Sequence, residues 1–502
     1  MLKSWSSEFD EFLRDESRRI GKADSISFPT TEADVIDAVL QARDLNQAIT
    51  IQGARTGITA GAVPQGGHVL NLSRMNGIGE VRTDSDGEFR LTVSPGALLT
   101  EIREVAAKNG LFLPPDPTET SASIGGMVAC NASGASSFFY GPTRSWVTAL
   151  RVVLSDGSVI SIRRGESFTR GREFNIYNEN GREIVGTLPI YTLPPVKTAA
   201  GYYVADDMDL IDLFIGMEGT LGVVTQIELK LIPVPKAIAS LTAFLPSEEA
   251  ALRFVRAVRG EDVGGLDYQG MRPIAIEFFN SDSLNLLRDA KSKYGAFSNI
   301  PPLKPHFHTA VAIEYHGESD DECEESALAA VELVMALGAS DDDTWYATTE
   351  REREPLKAFR HAVPEAVNLL IDERKRACPE LTKLGTDMSV PALQLERTMS
   401  MYRADLQESL LQSVVFGHIG DNHVHVNILP TDMDQYQRGK SLYMSWANEI
   451  VAMGGSVSAE HGIGKLKAPM LKIMFGEDGV SQMRVLKSLF DPTALFSPGN
   501  LF

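Results

Sequence analysis

Directly behind an alternating run at 48–52, glycines recur at every fourth residue, Gly53, Gly57 and Gly61, in the stretch Gln52-Gly-Ala-Arg-Thr-Gly-Ile-Thr-Ala-Gly-Ala-Val-Pro64. Backbone approaches a bulky anion closely only where side chains are missing. The spacing therefore predicts a strand running into a loop whose N–H groups turn inward as a pyrophosphate nest, with the hydroxyls of Thr56 and Thr59 as extra donors. It is neither G-x-G-x-x-G nor a Walker loop, because no Lys-Ser/Thr pair follows. An ordinary glycine-rich surface loop is the competing reading. Two more stretches share the bias to small residues. One is Pro114-Pro-Asp-Pro117 leading into Thr118-Glu-Thr-Ser-Ala-Ser-Ile-Gly-Gly126, Ala129-Cys-Asn-Ala-Ser-Gly134 and Tyr140-Gly141; the other is Gly216-Met-Glu-Gly-Thr-Leu-Gly-Val-Val-Thr225.

Around these stretches the chain alternates helical and strand-like periodicity, and 502 residues exceed what one core organises. Thr31 and Asp34 resemble a capping box that opens a helix over 31–46, with Val35, Ala38, Val39, Ala42 and Leu45 on one face. A helix over 97–108 stops at Asn109-Gly110. β-rich runs at 149–154 and 222–232 flank a polar, loop-rich stretch at 163–195 that reads as an insertion. Pro233-Val-Pro235 marks a domain boundary. Beyond it, strands at 239–244 and 309–315 alternate with helices at 248–258 and 323–337, and a helical tract at 354–376 is interrupted at Pro364. The expected division is an N-terminal helical extension (1–24), a first domain (25–235), a second domain (236–410) and a C-terminal segment (411–502).

Over roughly 25–502 the three glycine-rich stretches resemble the FAD-binding domain of the vanillyl-alcohol oxidase / p-cresol methylhydroxylase superfamily, in the branch of glycolate oxidase subunits and D-lactate and D-2-hydroxyglutarate dehydrogenases. The resemblance implies an α+β fold: a two-subdomain FAD-binding domain, then a substrate (cap) domain with a mainly antiparallel sheet, and a C-terminal segment returning to the flavin. By the same match Gly53, Ala54, Arg55, Thr56, Gly57, Ile58 and Thr59 cradle the FAD pyrophosphate. Pro115, Asp116, Thr120, Gly125, Gly126, Asn131, Ser133 and Gly134 line the flavin, Gly219, Gly222, Val223 and Val224 hold the adenosine side, and Asn500 falls on a terminal flavin position. Arg55 is unusual in that loop and is expected to pair with a phosphate. No His or Cys matches a covalent flavin link, so the FAD is expected to be non-covalent.

Four of the nine histidines fall between 418 and 461. In Gly417-His-Ile-Gly-Asp-Asn-His-Val-His-Val-Asn427, strict alternation begins after the Gly420-Asp421-Asn422 turn and sets His423, His425 and Asn427 on one face. His418 and His425 are seven apart, an odd step that would separate them on a straight strand. Only a hairpin brings them together. With the carboxylate of Ser458-Ala-Glu460-His461-Gly462, two imidazoles suit Zn²⁺, Mn²⁺ or Fe²⁺ with positions left open; plainly hydrogen-bonded strand histidines are the alternative. The family pattern implies His418, His425 and Glu460 as ligands of a divalent metal, zinc foremost, Asn427 as a polar active-site residue, His461 as the base and Arg360 as a substrate clamp. Lys197 matches a position near the flavin. The sequence departs from the pattern at Asn422-His423, where relatives have Gly-Asn, which makes His423 an extra ligand or a substrate contact.

A formal charge of −20 repels nucleic acid, and it obliges any site for an anion to supply its own positive charge. Cys130, Cys323 and Cys378 are too scattered for a cluster or haem, so electrons from a small 2-hydroxy acid are expected to pass to a separate acceptor: a quinone, an electron-transfer flavoprotein, a cytochrome or an iron–sulfur protein. With no apolar h-region at the N-terminus, a cytoplasmic protein is expected. Peripheral contact with the inner membrane face and a homodimer stay open. An alkyl-dihydroxyacetone-phosphate synthase-like non-redox enzyme and a non-catalytic subunit of a glycolate oxidase-type complex are the alternative readings.

Overall fold

The computed structural model describes residues 2–502. The first subdomain is a small sheet ordered Lys3–Ser4, Ser25–Ser27, His68–Asn71, Ile49–Gln52, the last three parallel. Helix Glu32–Asp44 crosses over between Ser25–Ser27 and Ile49–Gln52. It opens on the Thr31/Asp34 capping box and buries Val35, Ala38, Val39 and Ala42 against Ile49, Leu70 and Phe496. Residues 2–24 are not the helical extension the sequence suggests. Lys3–Ser4 is a strand of this sheet, and Ser7–Leu13 is a 3-10 turn whose Phe9 and neighbouring Trp5 and Phe12 pack on Phe28 and Val69. Aromatic docking, not helical periodicity, decides this segment.

The second subdomain is an antiparallel sheet ordered Ile78–Thr83, Phe89–Val93, Val223–Pro233, Val147–Val153, Val159–Arg163. The polar stretch at 163–195 is not mere loop, because it contains the hairpin Glu173–Tyr177 / Glu183–Thr187. Phe174, Ile176 and Ile184 form its buried face, with Phe174 stacked on Phe490 at 6.1 Å.

The second domain is built on one antiparallel sheet running Thr344–Ala347, Ala237–Leu245, Thr309–Gly317, Ala275–Phe279, Ser413–Gly417, His423–Ile428, Leu384–Gly385, with Met388–Ser389 also paired to His423–Ile428. Helix Glu350–Lys375 packs on it through Phe359, Ala362, Val363, Ala366 and Val367, and continues through Pro355 and Pro364 without the expected break. Each proline removes one helical hydrogen bond. The apolar face buried on both sides of Pro364 outweighs that loss.

The C-terminus returns to the first sheet. Ile49 N–H donates to Leu495 O and Ser497 N–H donates to Ile49 O, both at 2.7 Å, so the chain end covers the open edge of Ile49–Gln52 beside the glycine loop. Among the described residues no helix is long and apolar enough to cross a membrane.

His68 locks the central strand of the first sheet. Fully buried, it sits 2.9 Å from Ser25 Oγ through Nδ1 and 2.7 Å from Ser27 Oγ through Nε2. Burial pushes its imidazole down to about 4. Its folded pKa lies below the unfolded value, so the unfolded chain takes up a proton first on acidification. The stability that neutral His68 provides is full above about pH 6.5 and falls until about pH 4, a loss of about 3 kcal/mol. Urea unfolding at pH 7.5 and 4.5 checks this: wild type should lose more stability across that interval than His68→Gln, and equal losses would refute it.

Candidate functional site

The histidine cluster is made by the hairpin. Strand Ser413–Gly417 ends at His418, a 3-10 turn at Ile419–Asp421 reverses the chain, and Asn422 takes a left-handed conformation (φ 53°) before His423–Ile428. Asparagine tolerates that conformation, and Arg259, itself buried, donates to its Oδ1 and holds the turn. The ring centroids of His418 and His425 come to 5.7 Å, those of His423 and His425 to 4.4 Å. One donor atom from each of His418, His423, His425 and Glu460 lies within 4.8 Å of the others. The hairpin thus unites the two imidazoles that spacing alone would separate, and brings a third with them.

The donors fit a divalent ion. His418 Nδ1 stands 2.7 Å from Glu277 Oε1, so Nε2 faces Glu460, 3.3 Å from Oε2. His425 Nδ1 donates to Thr386 O at 2.9 Å. His423 is fully buried, and neither of its ring nitrogens has a hydrogen-bond partner among the described residues. Acceptors outside the cluster orient imidazoles for metal in this way. Lys197, also buried, pairs with Glu460 and, at 3.2 Å, with Asp421, while Ser133 Oγ donates to Glu460 Oε1 at 2.9 Å. Ser133 therefore supports the carboxylate of the cluster from the side assigned to the flavin.

His461 lies at the open side of the cluster, its ring nearly parallel to that of His425 at 5.7 Å and 31% of its side chain exposed. Its Nδ1 stands 3.2 Å from Asp387 Oδ2, and its backbone N–H donates to the same oxygen at 3.0 Å. Asn427 is almost fully buried, with no side-chain hydrogen bond to the described residues. Arg360 lies near the cluster without joining it, with Nη1 3.2 Å from Glu314 and Nη2 3.9 Å from Asp116.

The glycine loop leaves its amides unpaired. None of the backbone N–H groups of residues 55–60 finds an acceptor among the described residues, and a Cβ added at Gly57 would meet nothing within 4 Å. The loop is pinned from behind by Ser123, whose Oγ accepts from Ala54 N–H at 3.1 Å and would lie 2.1 Å from a Cβ at Gly53. Arg55 departs from expectation. Its guanidinium stacks on Phe12 at 4.3 Å and pairs with Glu11 at 3.2 Å, because the 3-10 turn of the N-terminus offers it a carboxylate and a ring face. Asn500 is also committed, donating to Gly61 O and Glu218 O and accepting from Lys465. Gly134 packs so closely on Asp116-Pro117 that a Cβ would sit 1.7 Å from Asp116 O. Val223 and Val224 begin the long strand of the second sheet, and a Cβ at Gly222 just ahead of it would meet Val152 at 2.6 Å. Gly125 and Gly126 lie in the first turn of Ile124–Cys130, and left-handed Asn131 closes that helix. Gly219, at φ 68°, passes Ile51 and Ser497, and Thr120 stands exposed in the loop ahead of Ser123.

Asp387 and Glu277 were missed in the sequence. Both are isolated acids in apolar surroundings, Glu277 between Ile276 and Phe278, Asp387 ahead of Met388 and Val390. That pattern is itself a signal, since a carboxylate in a buried strand needs a partner.

Comparison with known proteins agrees with this architecture. Residues 234–501 match the family model described as FAD linked oxidases, C-terminal domain, and residues 23–163 the one described as FAD binding domain. A D-lactate dehydrogenase of Anaerostipes hadrus is 28% identical over 98% of this chain and 92% of its own length. A probable mitochondrial D-lactate dehydrogenase of Danio rerio is 30% identical over 97% of this chain and 86% of its own. A D-2-hydroxyglutarate dehydrogenase of Xanthomonas citri pv. viticola is 28% identical over 100% and 94%. A solved structure of an alkyldihydroxyacetonephosphate synthase, 16% identical, superposes with a TM-score of 0.63 over 96% of this chain and 78% of that one, a likeness of fold.

The cluster's electrostatics make a testable statement about ion uptake. Burial opposes a charge on His418, yet Glu277 and Glu460 on either side raise it to about 10. Burial holds His425 well below its ordinary value and lowers His423. At pH 7.5 only His418 carries a proton that an entering ion must displace, so affinity should rise about tenfold per pH unit. Calorimetry of Mn²⁺ binding in buffers of different ionisation enthalpy should report one proton released per ion. None released, or three, would contradict the assignment.

Proposed function

The chain belongs to the FAD-linked oxidases, and on that premise we propose that it oxidises a small D-2-hydroxy acid, of the D-lactate, D-2-hydroxyglutarate or glycolate type, to the 2-oxo acid. The observation that carries the proposal is the placing of His461 on the open side of the His418/His423/His425/Glu460 donor set, with Asp387 behind it. When bound, a divalent ion would acidify the substrate hydroxyl and non-covalent FAD would accept the hydride. His418, His425 and Glu460, with His423, would hold the ion, and the nest at 53–59 would hold the FAD pyrophosphate.

The rest is done by this chain's own groups. With Nδ1 beside Asp387, His461 directs Nε2 outward as the acceptor of the hydroxyl proton, and the carboxylate stabilises the imidazolium that forms. Arg360 supplies buried positive charge near the cluster in a strongly acidic chain, which suits it to draw in the substrate carboxylate. Its guanidinium already bonds Glu314, so its pull on the substrate is through space unless that pair opens. Asn427 has a free side-chain amide on the face that carries His423 and His425, and serves as a further polar contact. Electrons leave for a separate acceptor, a quinone or a redox protein.

Anaerobic mixing of the flavin-loaded protein with D-lactate, D-2-hydroxyglutarate or glycolate should bleach the flavin with one of them, and prior treatment with EDTA should abolish the bleaching. His461→Ala should slow the reduction by about 10²–10⁴-fold with flavin content unchanged. Bleaching by none of the three, or a full rate in His461→Ala, would remove the proposal.

A further inference from the structure

We infer that His423 is a fourth metal ligand, so that the site is a centre of three imidazoles and one carboxylate made for a six-coordinate ion such as Mn²⁺ or Fe²⁺ rather than for tetrahedral Zn²⁺. This rests on the reading that the cluster holds the substrate's metal ion, and it changes which ion that is.

The first ground is an orphaned side chain. His423 is 0% exposed, and both of its ring nitrogens lack a hydrogen-bond partner among the described residues. An unsatisfied buried polar atom costs about 1–3 kcal/mol, and native chains rarely leave one. The nearest polar group is Asp387, with Oδ1 3.1 Å from Nε2 but off the line of a directed hydrogen bond. Asp387 is already heavily engaged: Oδ1 accepts from Glu460 N–H, and Oδ2 accepts from His461 N–H, Ser458 Oγ and Lys467 Nζ. His423 therefore keeps both ring nitrogens uncommitted to any hydrogen bond among the described residues, and at least one of them is available to the centre. His418 and His425, by contrast, each commit Nδ1 to an outer acceptor, Glu277 and Thr386 O.

The second ground is position. The donor atoms of His418, His423, His425 and Glu460 all fall within 4.8 Å of one another, so His423 belongs to the set and does not flank it. The turn that delivers it is fixed by Arg259, which donates to Asn422 Oδ1 directly ahead of His423.

The third ground is coordination arithmetic. Four protein donors complete a tetrahedral zinc site and leave no position for substrate, the arrangement of structural zinc. A six-coordinate ion with the same four donors keeps two positions open, the number that a 2-hydroxy acid fills with its hydroxyl and one carboxylate oxygen. Imidazole and carboxylate ligands with open positions suit Mn²⁺ and Fe²⁺.

The test reads the metal without turnover, so it is independent of whether any hydroxy acid is oxidised. Full-length, flavin-loaded protein stripped with chelator is titrated with Mn²⁺ alone. One ion should bind, and His423→Asn and His423→Gln should each weaken it by at least about 100-fold, the upper end of what losing an outer-shell partner costs, while the thermal unfolding of the metal-free proteins stays the same. Pulsed electron paramagnetic resonance of Mn²⁺-loaded wild type, which needs no variant, should count three coordinated imidazoles. The Co²⁺-loaded protein should show the weak visible bands of a six-coordinate ion. Two imidazoles, intense four-coordinate Co²⁺ bands, or unchanged affinity in folded His423 variants would each overturn the assignment.

Discussion

Asp387 is a fully buried carboxylate on which three separate parts of the site converge. It receives the backbone N–H groups of Glu460 and His461, the hydroxyl of Ser458 and, at 2.6 Å, the ammonium of Lys467, and it stands beside the rings of His423 and His461. Burial works against its charge, but His461, Lys467 and these donors hold it well below the usual carboxylate range. One anion thereby fixes the loop carrying Glu460 and the position of His461. Lys467 balances that anion from the start of helix Ala468–Phe490, so the last long helix is anchored to the same point.

The surrounding charges follow from the same constraint. A carboxylate inside a protein is tolerated when it is paired and hydrogen-bonded. Glu460 faces His418 and Lys197, Glu277 faces His418, and Glu314 faces Arg360 and His316. The cationic partners nearly all come from segments remote in sequence from their acids.

What the sequence made legible was local. The Thr31/Asp34 box and the alternating run from His423 to Asn427 are patterns a few residues long, and the structure realises the first as a helix cap and the second as a strand. The elements misread were decided by distant contacts. Phe174 and Ile176 mark a strand only because Phe490 covers them, Pro364 stays within a helix because its neighbours are buried, and Arg55 turns from the nest because Glu11 and Phe12 are near. Asp387 and Glu277 meet their histidines across 74 and 141 residues, a separation that no periodicity encodes.

The site also depends on how the halves of the chain are clasped. The three glycine-rich stretches lie before residue 235, and His418, His423, His425, Glu460 and His461 lie after 417. Between them run Ser133 to Glu460 at 2.9 Å, Ser137 to Asp421 at 2.8 Å, and Glu218, which accepts from Ile463 and Gly464 N–H at 2.7 Å each. One of these clasps ends on Glu460 of the donor set, and another holds the loop two residues beyond His461. Separation of the C-terminal segment from the first domain would therefore remove the support of Glu460 and the hold of Glu218 on the loop that follows His461 together. Coupling of that kind keeps the His418/His423/His425/Glu460 donor set in register with the glycine-rich first domain, the precision of position on which chemistry between groups held by two domains depends.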